Sequence, residues 1–149
     1  MKVSTRTRYG VRAIVELAQQ YAQGPLQLRV IGEREEISAK YLEQLMAILK
    51  ASGLVRSIRG AKGGYVLARE PEQIRMDEVY HCLEGPVTTL ECVADAGSCK
   101  RAVDCAARVL WAQVEKAVDG VLGSTTLAEL AERAKRVVGQ QDETSSQGT

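Results

Sequence analysis

Three of the four cysteines of this chain lie within fourteen positions, in the stretch "ECVADAGSCKRAVDC". They are Cys92, Cys99 and Cys105. Thiolates are ligands of zinc and of iron–sulfur clusters, and they are also the reactive groups of redox switches. The residues between them are small, charged or turn-forming, and none is bulky enough to form a core. We therefore interpret the stretch as metal-binding or reactive.

The spacing of the cysteines argues against structural zinc, which favours pairs separated by two residues. On one regular helix Cys99 and Cys105 would point about 240° apart, so they could not converge. Gly97 and Ser98 instead predict an irregular loop at Cys99, with Cys105 on the first turn of a long helix. Three thiolates could then surround one point. Their negative charge would be offset by the helix N-terminus and by nearby cations, namely Lys100, Arg101 and Arg108.

The composition favours one small helical domain, with or without an appendage. Of the 149 residues 45% are hydrophobic, yet only 4% are aromatic and Phe is absent, so the core must be aliphatic. No apolar run approaches eighteen residues, and the N-terminal stretch "MKVSTRTRYG" lacks the apolar segment of a signal peptide. We therefore expect a cytoplasmic protein, without a membrane partner, whose thiols are reduced.

The net charge of +1 conceals an asymmetry between the two halves of the chain. Residues 1–69 carry twelve Lys and Arg against five Asp and Glu, a net +7, whereas residues 70–149 carry eight against fourteen, a net −6. A basic half joined to an acidic half indicates contact with a polyanion, although solvated surface charge gives the same count.

The basic half has the pattern of a winged helix-turn-helix. Apolar spacing predicts helices over residues 4–22 and 28–36, and a third that starts after Ser38 and stops at Gly53. The next stretch, "LVRSIRGAKGGYVLAR", consists of two strand-like runs around a glycine-rich turn, which predicts a hairpin. Arg59 and Lys62 lie between the glycines of that turn, where they could approach a sugar–phosphate backbone.

The acidic half is predicted to be helical over residues 76–84 and 101–119, with a capping box at Thr126 and Glu129 opening a further short helix. The long helix carries a heptad pattern, with Trp111 beside it. Its members are Val103, Ala107, Leu110, Val114, Ala117 and Val121. Such a pattern favours pairing with a second copy, and packing within the same chain remains the alternative.

The predicted fold is mainly α with a small β-hairpin wing. A winged helix-turn-helix domain occupies residues 1–75, and a sensor loop with a long dimerisation helix occupies residues 76–138. The polar tail, residues 139–149, is predicted to be disordered.

Residues 38–85, "SAKYLEQLMAILKASGLVRSIRGAKGGYVLAREPEQIRMDEVYHCLEG", resemble the core of the Rrf2 superfamily of bacterial winged-helix transcription regulators. The resemblance extends over residues 1 to about 135. It implies a homodimer held by crossed long helices, with a sensor in the loop before the long helix. It also implies that Cys92, Cys99 and Cys105 hold an iron–sulfur cluster, either 2Fe–2S or 4Fe–4S.

The chain departs from the cluster-binding members in the fourth ligand. One branch of these members has a histidine shortly after the third cysteine, and "CAARVL" contains none. Another branch uses an aspartate from the first helix of the partner subunit, and "STRTRYGVR" contains no acidic residue. A solvent or small-molecule ligand would serve, and the remaining protein candidates are Asp95, Asp104, His81 and Cys82.

A winged helix-turn-helix implies that the third helix enters the major groove of double-stranded DNA. Gln44 could then bond an adenine edge and Lys40 a guanine or a phosphate. The expected contacts from this helix are Ser38, Lys40, Tyr41 and Gln44, although Tyr41 also belongs to the apolar stripe.

Arg59 and Lys62 of the wing should reach the minor groove or flanking phosphates, and Arg56 another phosphate. Arg6 and Arg8 of the first helix are weaker candidates.

These features predict a dimeric DNA-binding regulator whose operator affinity depends on an iron–sulfur cluster. One alternative keeps the DNA binding with a cluster-free switch, operated by thiol oxidation, a small molecule or a protein partner. Another is an interaction module whose acidic half binds a protein such as a metabolic enzyme. The chain lacks a Ser-His-Asp set, paired catalytic carboxylates and a phosphate loop, so we do not expect an enzyme.

Overall fold

The computed structural model describes the backbone of residues 2–146 and the side chains of residues 2–141. That part of the chain contains seven α-helices and one two-stranded hairpin. The helices are α1 (Thr5–Gln19), α2 (Leu28–Glu35), α3 (Ala39–Ala51), α4 (Met76–Glu84), α5 (Glu91–Ala94), α6 (Ala106–Ser124) and α7 (Leu127–Ser146). The strands are β1 (Val55–Ile58) and β2 (Gly64–Leu67). None of these helices is long and apolar enough to cross a membrane.

The helix-turn-helix forms where the sequence predicts it, and local caps explain its boundaries. The Oγ of Ser4 accepts a hydrogen bond from the backbone N–H of Thr7 at the start of α1. Ser38 caps α3 in the same way, accepting from the N–H of Tyr41 at 3.2 Å. Each cap satisfies a backbone donor that the first helical turn leaves unpaired. Helix α3 ends just before Gly53, whose φ of 74° suits a residue without a side chain.

The core of the winged domain is aliphatic, as the composition predicts. Its largest fully buried side chains come from α1, α2, α3, α4, β1 and the segments between them, and they include Ile14, Ile31, Leu42, Leu45, Met46, Leu49 and Val79. Helix α7 returns to this domain and places Leu127, which is fully buried, in the same cluster. The C-terminal helix is therefore part of the winged domain's core rather than a separate appendage.

Three helices differ from the sequence-based predictions by more than one residue, the first being α1, which ends at Gln19 and not at residue 22. Helix α6 spans Ala106–Ser124 and not 101–119, because residues 99–104 form tight turns closed by backbone bonds such as Ala102 N–H to the Cys99 carbonyl at 3.2 Å. The buried Ala102 anchors these turns. Helix α7 also continues through residues 139–146, where the sequence predicts a disordered tail. The last three residues of that predicted tail, 147–149, lie outside the described residues.

Candidate nucleic-acid interface and cysteine loop

The first turn of α3 presents polar side chains to solvent. Ser38, Lys40 and Gln44 are all exposed, which is the arrangement that contact with base edges or phosphates requires. Tyr41 behaves differently, because it is half-buried and its ring meets that of Tyr9 edge to face, with the centroids 6.1 Å apart. Much of the Tyr41 ring therefore packs within the domain rather than facing solvent.

The wing is an antiparallel hairpin in which β1 pairs with β2 from Val55–Leu67 to Ile58–Gly64. Glycine is required at its tip, since a Cβ on Gly63 would lie 2.1 Å from the Ile58 carbonyl oxygen. Arg59 and Lys62 are exposed on this tip, and neither makes an ion pair or hydrogen bond in the described structure. The tip is thus a narrow loop with two cations available to a polyanion.

Several cations of the basic half are already engaged within the domain, which the charge count alone could not show. Arg12 pairs with Glu35 at 2.7 Å and Arg34 with Glu16 at 3.1 Å, so both ion pairs join α1 to α2. Burial and the neighbouring Glu35 raise the pKa of Glu16. Among the cations of the basic half that make no ion pair or hydrogen bond in the described structure, Lys40 lies on the first turn of α3 and Arg56, Arg59 and Lys62 lie on the wing.

The two weaker sequence candidates on α1 have intramolecular contacts. The Nε of Arg6 donates to the Leu83 carbonyl at 2.7 Å, and the guanidinium of Arg8 lies 5.3 Å from the centre of the Tyr9 ring. The Arg6 bond is one of several that join the start of α1 to the end of α4.

A carboxylate from α4 completes this α1–α4 junction. Glu84 accepts hydrogen bonds from the Ser4 hydroxyl at 2.6 Å and from the Thr7 hydroxyl. These bonds, first that of Ser4 and then that of Thr7, hold the pKa of Glu84 below its ordinary value of 4.5. Close packing supports the junction, because a Cβ on Gly10 would lie 2.6 Å from Leu83 Cδ1.

We expect the Glu84→Gln variant to unfold at a lower urea concentration than the wild type at pH 7. Because the pKa of Glu84 is lowered by folding, its stabilisation is present above pH 4.5 and is lost as the pH falls through the folded-state pKa. The difference between the two urea midpoints should therefore shrink toward pH 3. Glu43→Gln, at an exposed position of α3, is the control, and its urea midpoint should equal that of the wild type at both pH 7 and pH 3. A difference for Glu84→Gln that is constant from pH 3 to 7 would contradict the assignment.

The cysteine loop, which we define as residues 86–105, connects α4 to α6. Cys92 lies on α5, Cys99 follows a 3₁₀ turn at Ala96–Ser98, and Cys105 is the residue before α6 rather than part of its first turn. All three are free thiols, with Cys99 exposed and the other two half-buried. Of residues 88–105 only Ala102 is buried, so little packing fixes the shape of the loop.

The structure does not bring three cysteines together around one point. Within the described residues no group of three or more His, Cys, Asp and Glu side chains is placed to hold a metal ion. Three of the four protein candidates for a fourth ligand have other contacts. His81 meets Asp119 at 3.2 Å, and the carboxylate of Asp95 accepts from the Gly97 N–H. The Cys82 thiol donates to the Val79 carbonyl, and burial raises its pKa.

Polar side chains on one face of α6 contact the cysteine loop and α4. Arg108 donates to the backbone carbonyl of Cys92 at 2.7 Å, so it contacts the main chain of that residue and not its sulfur. Seven residues on, Glu115 accepts from the Thr89 hydroxyl at 2.7 Å and from its N–H, and these bonds lower the pKa of Glu115. Arg108, Glu115 and Asp119 lie on one face because their spacings of seven and four match the helical period. The sequence showed the residue types but not these partners.

The opposite side of α6 is apolar and uncovered. Leu110 is 53% and Val121 65% exposed, and Trp111 beside them is 39% exposed. The first member of the predicted heptad, Val103, lies before the helix and is 89% exposed, because α6 begins only at Ala106. The remaining members continue along α6 for about four turns. We call this surface, formed by Leu110, Val114, Ala117 and Val121, the α6 face.

Comparisons with known proteins agree with this architecture. Residues 3–133 match the family profile described as Rrf2, iron-dependent transcriptional regulator. The chain is 44% identical to the transcriptional regulator CymR of Bacillus subtilis over 131 residues, which is 88% of this chain and 90% of CymR.

Solved structures give the same result. The structure of B. subtilis CymR, described as the global cysteine regulator, superposes with a TM-score of 0.78 at 42% identity and covers 89% of this chain and 98% of its own. IscR of T. potens gives a TM-score of 0.74 at 39% identity, covering 92% and 90%. The oxidised form of Staphylococcus aureus CymR gives 0.70 at 39%, covering 89% and 97%. This chain belongs to the Rrf2 family, and it is a winged-helix DNA-binding transcription regulator rather than an enzyme.

Proposed function

We propose that this regulator binds its operator as a homodimer and that the cysteine loop controls the binding by holding an iron–sulfur cluster. The observation that carries the proposal is the placement of three free thiols, those of Cys92, Cys99 and Cys105, on a loop whose hydrogen bonds outside itself run to α6. A change in the loop therefore acts first on the helix that bears the α6 face.

The donor set fits an iron–sulfur cluster in chemical type, since thiolates are the usual ligands of such clusters. To bind a cluster, the three thiols of the cysteine loop must move closer to one another, because they do not form a group of metal ligands in the described structure. Because residues 88–105 are sparsely packed, such a movement would expose little buried apolar surface. A bound cluster would supply a centre that changes charge and stability with oxidation. Three cysteines leave its fourth position to solvent, a small molecule or another side chain.

Arg108 and Glu115 provide the physical route from the loop to the dimer. They hold the main chain at Cys92 and the residue Thr89, respectively, so a rearranged loop must either move α6 or break these bonds. In a dimer joined through the α6 face, movement of α6 changes the distance between the two α3 helices. Successive major-groove turns on one side of DNA are separated by about 34–36 Å, so small changes in that distance alter operator affinity.

In the proposed complex α3 reads base edges and the wing holds the phosphate backbone. The residues assigned to DNA are Ser38, Lys40, Gln44, Arg56, Arg59 and Lys62, with Tyr41 at the edge of the contact. If each subunit neutralises about four phosphates, the slope of log affinity against log salt is roughly −7 for the dimer. A titration of labelled operator at several salt concentrations measures this slope.

Protein purified without oxygen should be brown, with visible charge-transfer absorbance and with iron and sulfide present in comparable amounts. Cys99→Ser should remove most of the colour and iron, because it takes away one of the proposed ligands. The Cys99 side chain is exposed and makes no hydrogen bond in the described structure, so the substitution should leave the fold intact. Cys82→Ser is the matched control and should retain both, since the Cys82 thiol lies on α4 and already bonds the Val79 carbonyl. Colourless, iron-free wild-type protein after anaerobic reconstitution would exclude the cluster.

A cluster-free thiol switch is the second candidate, and two observations favour it. No three potential metal ligands are grouped in the described structure, and the relatives include a regulator described as the global cysteine regulator and a CymR crystallised in oxidised form. In this mechanism hydrogen peroxide oxidises one thiolate to a sulfenic acid and releases hydroxide. A second thiol then displaces hydroxide, which leaves as water, to form a disulfide. Mass spectrometry after peroxide treatment would show a reversible loss of two hydrogens from metal-free protein.

A further inference from the structure

A cavity of about 530 Å³ lies between the C-terminal end of α1 and the hairpin of the wing. Its walls include Leu17 and Tyr21 from the α1 side and Ile58 and Tyr65 from the hairpin. The volume lies within the range of about 300–1,000 Å³ that is usual for sites of small ligands. No residue of the cysteine loop lines it, so it is distinct from the proposed sensor.

Charge and exposure indicate the chemistry of an occupant. The lining contains two arginines, Arg56 and Arg69, and no acidic residue. Arg69 is already held by Glu78 at 2.5 Å and by the Gln73 carbonyl. Arg56 makes no hydrogen bond or ion pair in the described structure, and it stands on β1 on the same side as Ile58. The cavity thus offers one unengaged guanidinium beside apolar walls.

The wall opposite the wing is set by an unusual backbone. Ala22 has a φ of 66°, a left-handed conformation that few residues other than glycine adopt, and Gly24 follows with a φ of 93°. Strained positions of this kind are enriched at sites that clamp ligands. The turn also leaves Tyr21 41% exposed over the cavity, opposite Ile58, which is 39% exposed.

We propose that this cavity, the wing cavity, binds a small amphipathic anion with a flat apolar body and a single negative group. The apolar body packs between Tyr21 and Ile58, and the negative group bonds the Arg56 guanidinium. Binding does not depend on the proposed cluster or on the operator. The effect of binding on DNA does rest on the proposed function, since an occupant that bonds Arg56 would withdraw this guanidinium from phosphate.

Two fluorescent probes of similar shape test the proposal on the DNA-free full-length protein. One is 8-anilinonaphthalene-1-sulfonate, which carries a negative charge, and the other is N-phenyl-1-naphthylamine, which does not. We expect both to bind. Arg56→Gln should weaken the sulfonate about tenfold, as expected for loss of a charge-assisted bond, and leave the neutral probe unchanged. Tyr21→Ala, at an exposed position that should tolerate it, should weaken both probes.

Arg133→Gln, an exposed arginine of α7 outside the cavity lining, is the control and should affect neither probe. Failure of the sulfonate to bind the wild type would overturn the proposal. Equal losses of both probes in Arg56→Gln would show that the arginine only maintains the wing. If Tyr21→Ala bound both probes normally, they would be bound elsewhere, for example on the α6 face, and the wing cavity would not be their site.

Discussion

Replacing both wing-tip cations, in Arg59→Ala/Lys62→Ala, should lower operator affinity by about 100- to 1,000-fold at physiological salt. Each subunit then loses two phosphate contacts and the dimer loses four, with their released counterions. The slope of log affinity against log salt should fall from roughly −7 to about half that value for the same reason. Both side chains are exposed and unpaired, so the substitutions should leave the fold intact.

The measurement uses a duplex selected by the wild-type protein from a random library, titrated by fluorescence anisotropy at several salt concentrations. Lys116→Ala/Arg133→Ala is the matched control, because it removes the same charge from exposed positions of α6 and α7. It should leave the slope within about one unit of the wild type. If the wing variant bound the duplex as tightly as this control, the wing would not contact DNA, and an interaction module would explain the chain better.

The second large effect should follow from Leu110→Glu on the α6 face. A carboxylate would have to be buried without a partner in a dimer formed through this surface, so the dimer should dissociate at micromolar concentration. A monomer binds one half-site only, and operator affinity should fall by about 10²- to 10⁴-fold through loss of bivalent binding. Sedimentation equilibrium measures the mass, and anisotropy with the selected duplex measures the affinity.

Gln113→Glu provides the comparison for this variant, since it adds one negative charge to an exposed position of the same helix outside the α6 face. It should remain dimeric. The substitution in Leu110→Glu removes a half-exposed side chain, so the circular dichroism of the monomer should still show the helices. A wild-type protein that is monomeric at micromolar concentration, or a Leu110→Glu variant that stays dimeric, would place the subunit contact elsewhere.

The elements with strong local signals were predictable from the sequence. The hydroxyl of Ser38 caps α3 whatever surrounds it, and the glycines around Arg59 and Lys62 allow only a tight turn between two β-prone runs. The positions of α1, α2, α3, α4 and the hairpin are therefore confirmed. The identification of the Rrf2 family rests on these same residues and is confirmed as well.

The remaining differences arise where a distant contact decides the structure. The heptad pattern continues back to Val103, yet burial of Ala102 fixes a turn there and delays the helix to Ala106. Periodicity cannot reveal such an anchor. In the same way, the charge count could not distinguish Arg12, which pairs with Glu35, from Arg59, which has no partner in the described structure.

The cysteine loop shows this most clearly. Residue types suggested that Arg108 would neutralise thiolates, whereas its partner is a backbone carbonyl sixteen residues away. The spacing of Cys92, Cys99 and Cys105 is compatible with many loop shapes, since the side chains that surround it are largely exposed. Assignment of these residues to a cluster therefore stays a prediction that the anaerobic preparation must test.

In the proposed mechanism, the bond from Arg108 to the carbonyl of Cys92 would separate detection at the sulfur from transmission to α6. The Arg108 guanidinium bonds the main chain and not the sulfur, so this bond would change only when the peptide of Cys92 is displaced. Metal binding, oxidation and alkylation would all reach α6 through this one hydrogen bond. Substitutions of the loop cysteines during evolution could therefore replace one signal by another, while the contacts that move α6 and the DNA-binding helices stay the same.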